Sequence, residues 1–343
     1  MGHLRRMNAW VLVRHGPPER AFALREIPDP VAGRGQVLIR SEGFGLNYAD
    51  VMARKGLYRE APPPPCIIGY EAVGRVEYCG DGVPAHLLGR RVVAITRFGG
   101  YAEMAVTDHR AVVPIDDSVP LGTACALATQ GATAWYLAMI ARPVRKGEHA
   151  VVHSAAGGVG NLLVQLLMHQ GGEVIAMANG ADKVRALHEL GIRHVIDRAR
   201  GDYAEQVRTI LKNGRSQVVF NAVGGSTFKK DLALLGATGC LVLYGGAERG
   251  SGTIGALRFV LRMGVVIPIL LMMRHQSLIG VNMLRLGDVR PDLLEECLHG
   301  IAKAHADGWL RPMALSEFPS EQLPDAHTLL ESGRSMGKVV VRW

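Results

Sequence analysis

Residues 149–282 constrain this 343-residue chain more than any other stretch, because short apolar runs alternate there with helix-length amphipathic ones. The strand-like runs are 149–154, 173–178, 194–197, 217–222, 239–244 and 277–282. Helix-like runs at 159–170, 181–190, 202–212 and 227–235 separate the first five. Such alternation predicts an α/β fold with a doubly wound parallel sheet. The near-continuous apolar character of AVVHS, EVIAMA and CLVLY fits strands covered on both faces.

The first run ends in His153-Ser154-Ala155-Ala156-Gly157-Gly158-Val159-Gly160, and an apolar helix-like run follows. A strand, a glycine turn and a helix in this order are the context that dinucleotide binding needs. Gly157 and Gly158 let the backbone approach a pyrophosphate, and Gly160 lets the helix pack closely on the strand. The helix N-terminus near Val159 offers N–H groups and a partial positive charge. Ala155 stands where the fingerprint usually has its first glycine.

An NAD site normally places Asp or Glu about 20 residues on, to hold the ribose hydroxyls. Here the second strand ends Ala178-Asn179-Gly180-Ala181-Asp182-Lys183, with no acid closing it. Asn179 and Gly180 leave room for a 2′-phosphate, Lys183 can neutralise it, and Arg198 reaches the same side from the third strand. NADP is therefore the expected cofactor. The bland alternative makes Lys183 a solvated helix residue and gives the ribose to Asp182.

The first third is β-rich, with strand-like runs at 9–14, 36–42, 71–79, 90–96 and 101–106 separated by Gly, Pro and Asp. The last third opens with a helix at 292–306 and ends in a strand at 338–342. The two ends are expected to build one domain, 1–125 with 284–343, around an inserted nucleotide-binding domain, 126–283. Apolar residues make up 48%, which excludes a disordered chain. The net charge of +8 has no basic-aromatic stripe to point it at nucleic acid. Five widely spaced cysteines without a CxxC argue against a disulfide framework and for reduced thiols in the cytoplasm. The apolar run at the N-terminus, 9–13, is too short for a signal peptide. The most apolar stretch, 253–273, is interrupted by Arg258, Arg262 and Pro268, and reads as a buried or interface helix, with membrane-surface contact as the alternative.

With these residues in place, the chain resembles the zinc-independent quinone oxidoreductases of the medium-chain dehydrogenase/reductase superfamily, including zeta-crystallin-like and synaptic-vesicle-membrane-protein-like members. The resemblance rests on GLNYADVMARKGLY (45–58), GYEAVGRV (69–76), GATAWYLA (131–138), AAGGVG (155–160), VVFNAVGG (218–225) and GKVVV (337–341). It implies a GroES-like β-rich catalytic domain plus a Rossmann domain, an active site in the cleft between them, and a homodimer paired through the Rossmann sheet edge. The chain departs from the family pattern at Asn221, Arg198, Gln130 and Ala132. Zinc relatives carry ligands at positions matching Asn47, Tyr70 and Thr129, none of which is a good zinc ligand, so no metal is expected.

The activity so implied is hydride transfer from NADPH to a quinone or an activated enone. Without a metal Lewis acid, an acceptor that is already electrophilic is the chemistry left. By the same resemblance, Asn47 and Tyr58 line the substrate side and are the catalytic candidates, while Tyr48 and Tyr70 shape it. Asn47 has a bland reading as a turn-capping amide. Thr133, Asn221, Gly245, Ala247 and Lys338 complete the expected cofactor set. A non-catalytic NADPH-binding sensor or interaction protein is the second expectation.

Overall fold

The computed structural model describes residues 5–212, 214–250 and 252–343. They form two compact units. One comprises the chain up to Thr133 together with Met283–Trp343, and the other is Ala134–Asn282.

The first unit is built on antiparallel strands. β1 (Arg6–Leu12) pairs with β2 (Phe22–Pro28). The larger sheet holds β3 (Gln36–Leu46), β4 (Glu71–Cys79), β5 (Arg91–Ile95), β6 (Met104–Asp108) and β7 (Val112–Pro114). Its neighbour order is β14-β15-β3-β4-β5-β7, with β6 also on β3, where β14 (Leu315–Pro319) and β15 (Lys338–Arg342) come from the far end of the chain. β15 runs antiparallel to β3 with Val339 opposite Leu46. Trp10, Phe44, Tyr101, Leu323 and Val341 meet in one buried cluster, so both chain ends share a core. Removing that apolar surface from water, at about 25 cal/mol per Å², is what holds the ends together.

The second unit is a six-stranded parallel sheet. In chain order its strands are β8 (His149–Val152), β9 (Glu173–Ala178), β10 (His194–Asp197), β11 (Ser216–Asn221), β12 (Leu235–Leu243) and β13 (Ser277–Gly280). The spatial order is β10-β9-β8-β11-β12-β13, in which every pair is parallel. This is the Rossmann order, with the chain reversing direction between β8 and β11. Val151, Ile175, Val219 and Leu241 pack against helix residues Tyr203, Val207 and Phe228. Burial on both faces is why these strands read as unbroken apolar runs.

The fold class is the one the sequence implied, an α/β chain with a GroES-like β-rich part and a Rossmann sheet. Three local expectations needed correction. The first strand starts at Arg6 rather than residue 9, because it is set by pairing with β2. The strand expected at 101–106 is Met104–Asp108, and its register is set by β3. The stretch 253–273, expected to be one buried or interface helix, is two helices, Gly252–Met263 and Pro268–Arg274, and it is not buried within this chain: Ile254 keeps 82% of its surface and Met273 keeps 73%.

Candidate functional site

In the Rossmann unit, the chain leaves β8 through His153 and Ser154 into the glycine turn, and the helix Gly158–His169 follows. Ser154 takes a left-handed φ of 53°, which bends the chain sharply. The N–H of Ala155 donates to Met177 O at 2.9 Å, fixing the turn against β9. A Cβ on Gly160 would lie 2.3 Å from Ser154 O and 2.7 Å from Ala155 Cα. Only glycine fits there, and the fit is what sets the helix directly on the strand end. Ala155 is fully buried beneath the turn, while Gly157, Gly158 and Val159 are partly exposed at the helix start. Asn161 Nδ2 donates to Gly157 O and Gly158 O at 2.7 and 2.8 Å. With those carbonyls engaged, the first-turn N–H groups remain to face an anion. The turn therefore fits a dinucleotide pyrophosphate.

At the end of β9, Asn179 and Gly180 are exposed, and Gly180 has φ 92°. Lys183 lies on the following helix, and partial burial pulls its ammonium below the usual lysine range. The Arg198 guanidinium stacks 5.6 Å from the centre of the Tyr203 ring, which holds it in place. Asp182 is turned to solvent and pairs with Arg185 at 2.7 Å. Asp197 Oδ1 accepts from Gly180 N and Ala199 N, each at 3.1 Å, and the Gly180 bond above all holds its carboxyl below the ordinary value.

Beneath the strand ends lies a fully buried polar cluster centred on Asp231. It accepts from Tyr203 Oη at 2.9 Å and sits 3.0 Å from His153 Nε2. Asn221 Nδ2 donates to the same carboxylate and, at 2.8 Å, to Thr227 Oγ1. Asn221 Oδ1 accepts from Val223 N and Gly224 N at 2.6 and 2.8 Å. Asn221 was expected to touch cofactor, but its side chain is wholly enclosed and shapes the loop after β11. Gly245 gives backbone room, since a Cβ there would meet Ala222 O at 2.6 Å, and Ala247 N donates to the same oxygen at 3.2 Å.

In the other unit, Asn47 follows β3 and starts the helix Tyr48–Arg54. Its backbone N–H donates to Asp50 Oδ2 at 2.7 Å, but its amide turns inward. Nδ2 donates to Glu71 Oε2 at 3.0 Å, and Lys338 Nζ donates to Asn47 Oδ1 at 3.1 Å. Lys338 Nζ lies 2.7 Å from Glu71 Oε1, and both side chains are fully buried. Gly45 makes the space, because a Cβ there would come within 2.0 Å of Lys338 Cε and 2.1 Å of Glu71 Oε1. Lys338 was also expected to contact cofactor. It is enclosed instead, and it orients Asn47. Thr129 N approaches Glu71 Oε2 at 3.3 Å, and Thr133 Oγ1 donates to Thr129 O at 2.6 Å. Tyr58 is half-buried, edge-on to Tyr70 at 6.0 Å between ring centres. Burial, then Glu60, raises the Tyr58 phenol above its ordinary value. The Tyr70 hydroxyl is buried with no partner in this structure, and burial raises it further.

The chain matches two family profiles, an alcohol dehydrogenase GroES-like domain over residues 33–117 and a zinc-binding dehydrogenase over 158–298. It is 30% identical over 321 residues to the human synaptic vesicle membrane protein VAT-1 homolog, covering 92% of this chain and 81% of that one. The chain belongs to the medium-chain dehydrogenase/reductase superfamily. Within it the chain is quinone oxidoreductase-like. A quinone oxidoreductase structure from Pseudomonas syringae superposes with a TM-score of 0.87 at 26% identity, covering 98% of this chain and all of that one. A mycobacterial structure complexed with NADPH superposes with a TM-score of 0.85 at 27% identity, covering 98% of this chain and 100% of that one. Among the described residues of this superfamily member, no group of three or more His, Cys, Asp or Glu is gathered to hold a metal.

Proposed function

We propose that this oxidoreductase uses NADPH to reduce a quinone or an activated enone, without zinc. The observation that carries this reading is the anion-ready glycine turn, flanked at the β9 end by Lys183 and held from below by the Asp231 cluster. NADPH, once bound, supplies the hydride. The protein's own residues bind, orient and hydrogen-bond.

Residues 155–160 receive the pyrophosphate at the helix N-terminus. Asn179, Gly180, Lys183 and Arg198 receive the 2′-phosphate end, and Thr133, Gly245 and Ala247 take the nicotinamide side. Asn47, locked between Glu71 and Lys338, presents a fixed amide edge for the acceptor. The Tyr58 phenol keeps its proton at neutral pH and donates a hydrogen bond to the acceptor carbonyl as negative charge develops there. Asn47, Tyr70 and Thr129 make a poor donor set for zinc, and the buried positive charge beside Glu71 is already the Lys338 ammonium. The partners are small molecules, and the protein works as a cytoplasmic homodimer whose subunits pair through the edge of β13, a strand bonded on one side to β12.

The test is an acceptor panel of naphthoquinone, phenanthrenequinone and simple enones, followed by NADPH absorbance with metal-analysed protein. Expected outcomes are turnover on at least one class, no stoichiometric zinc, and a preference for NADPH over NADH. Replacing Lys183 and Arg198 by Ala should shrink that preference about tenfold or more, since a charge-assisted hydrogen bond contributes roughly 1.5–3 kcal/mol. Tight NADPH binding with no turnover across the panel would make this a non-catalytic NADPH-binding protein. Stoichiometric zinc would overturn the metal-free mechanism.

A further inference from the structure

The Tyr70 hydroxyl has no use in the chemistry described above. Its residue is pinned in place: Thr96 N donates to Tyr70 O at 2.8 Å, and Thr129 Oγ1 donates to the same oxygen at 3.2 Å. Gly69 before it has φ 102°, and a Cβ there would meet Tyr101 Cδ1 at 2.5 Å, so the chain passes close against Tyr101. The Tyr70 ring stands between Tyr58, edge-on at 6.0 Å, and Phe98, tilted at 5.3 Å between ring centres. Tyr70 keeps only 2% of its surface, whereas Tyr58 and Phe98 stay partly exposed beside it. Its hydroxyl nevertheless has no hydrogen-bond partner among the described residues. A buried O–H left unpaired costs about 1–3 kcal/mol. Phenylalanine would pack between the same two rings without that cost, so the hydroxyl needs a use outside the fold.

The surroundings say what that hydroxyl can bind. The Tyr70 phenol lies close enough to Tyr58 to feel its charge, and Asp50 and Arg97 act on both. Burial above all raises both phenols, so both keep their protons at neutral pH. Two neutral O–H donors in one aromatic corner suit an oxygen on which negative charge grows during reaction. The two acceptor classes differ in that charge. Hydride added to the β-carbon of an enone pushes the C=C electrons toward the carbonyl and leaves an enolate oxygen, which is strongly basic. A quinone becomes aromatic as it is reduced, and its oxygen is left a much weaker base. Help from a positioned donor grows with the basicity of the oxygen that receives it.

The geometry points to Tyr70 as a second catalytic residue that, with Tyr58, donates a hydrogen bond to the carbonyl oxygen of an α,β-unsaturated ketone or aldehyde, which makes enones rather than quinones the acceptors this corner fits. This rests on the reductase reading above. The hydride comes from NADPH, which leaves as NADP+. The two O–H donors hold the enolate charge until a solvent proton reaches the α-carbon and gives the saturated carbonyl compound. The test uses full-length protein, saturating NADPH, cyclohex-2-enone and 1,4-naphthoquinone. Tyr70→Phe should lower kcat on the enone on the order of a hundredfold. Naphthoquinone turnover should change by less than about threefold. NADPH affinity should stay unchanged, and the unfolding midpoint should be no lower than wild type. Equal losses on the two acceptors, or wild-type turnover of naphthoquinone alone, would overturn the enone assignment. Undiminished enone turnover by Tyr70→Phe would remove Tyr70 from the reaction, and a lowered midpoint would make its hydroxyl a structural group. Infrared spectra of bound cyclohexanone, which has no C=C bond to reduce, read the same hydrogen bond without turnover. With NADP+ present, the carbonyl stretch should lie lower in wild type than in Tyr70→Phe. That difference without turnover on any acceptor would sink the reductase reading and uphold Tyr70 as the carbonyl donor. Turnover without the difference would sink the role of Tyr70, and the absence of both would overturn the two together.

Discussion

Asp50 shows how one buried group sets a measurable pH response. Its carboxyl is fully enclosed and accepts from the N–H of Asn47. Burial dominates and pushes its pKa up to about 8, while the Asn47 bond pulls the other way. In the unfolded chain the same group titrates near 4. The folded state therefore holds a proton that the unfolded state releases. The stability this contributes is complete below about pH 4 and is lost as pH rises through about 8. Asp50→Asn keeps a carbonyl oxygen for the Asn47 N–H and cannot ionise. Its unfolding midpoint should fall less than that of wild type between pH 5 and 8, by the equivalent of a few kcal/mol at most, since a tenfold change in an acid's dissociation constant corresponds to about 1.4 kcal/mol. Parallel decline of the two proteins would show that Asp50 is not the group responsible. Residue by residue, the sequence marked Asn47 but not what holds it. Glu71 and Lys338 are distant along the chain from Asn47, and no local spacing announces that the three converge. Asp231 and Asp197 were invisible for the same reason. Each is an ordinary acid until the parallel sheet brings strand ends together.

At the scale of elements, the glycine turn separates packing from ligand approach. Gly160→Ala forces a Cβ to within 2.3 Å of a backbone oxygen, so the helix must shift off β8. Overpacking of this kind costs about 1–3 kcal/mol. Both the unfolding midpoint and NADPH affinity, read by fluorescence titration, should fall. Gly157→Ala meets Ser154 O at 3.1 Å, a contact that a small adjustment relieves. It should leave stability nearly unchanged and weaken NADPH binding alone. If both variants lose stability equally, the division of roles is wrong. This turn was legible because strand, turn and helix are contiguous, and all of the six strand-like runs of the parallel sheet were recognisable from their apolar character. The element missed most completely was the helical run Leu121–Ala141. It is apolar almost throughout, so a 3.6-residue period has no polar face to reveal it. β2 and β14 escaped because they are exposed along much of one face and carry charged residues, which weakens the alternation a strand signal needs.

At the scale of the molecule, the first unit is closed by joining chain ends, and one buried ion pair sits at that closure. Lys338 starts β15 near the C-terminus, and Glu71 starts β4. Their charges are 2.7 Å apart with no exposed surface. A buried pair of this type adds little net stability, because desolvation offsets attraction, but removing one partner strands the other. Lys338→Met should therefore destabilise the protein by about 3–5 kcal/mol, leaving the Glu71 carboxylate buried with only hydrogen bonds from Asn47 and Thr129. Adding Glu71→Gln removes the stranded charge and should restore most of the midpoint in chemical denaturation. Turnover should not return with it, because Asn47 Oδ1 loses the ammonium that fixed the amide in either variant. Stability recovering without activity would show that the pair is retained to orient Asn47 rather than to hold the ends together. A double variant no more stable than Lys338→Met would mean that the ammonium itself, and not the uncompensated carboxylate, is what the fold requires.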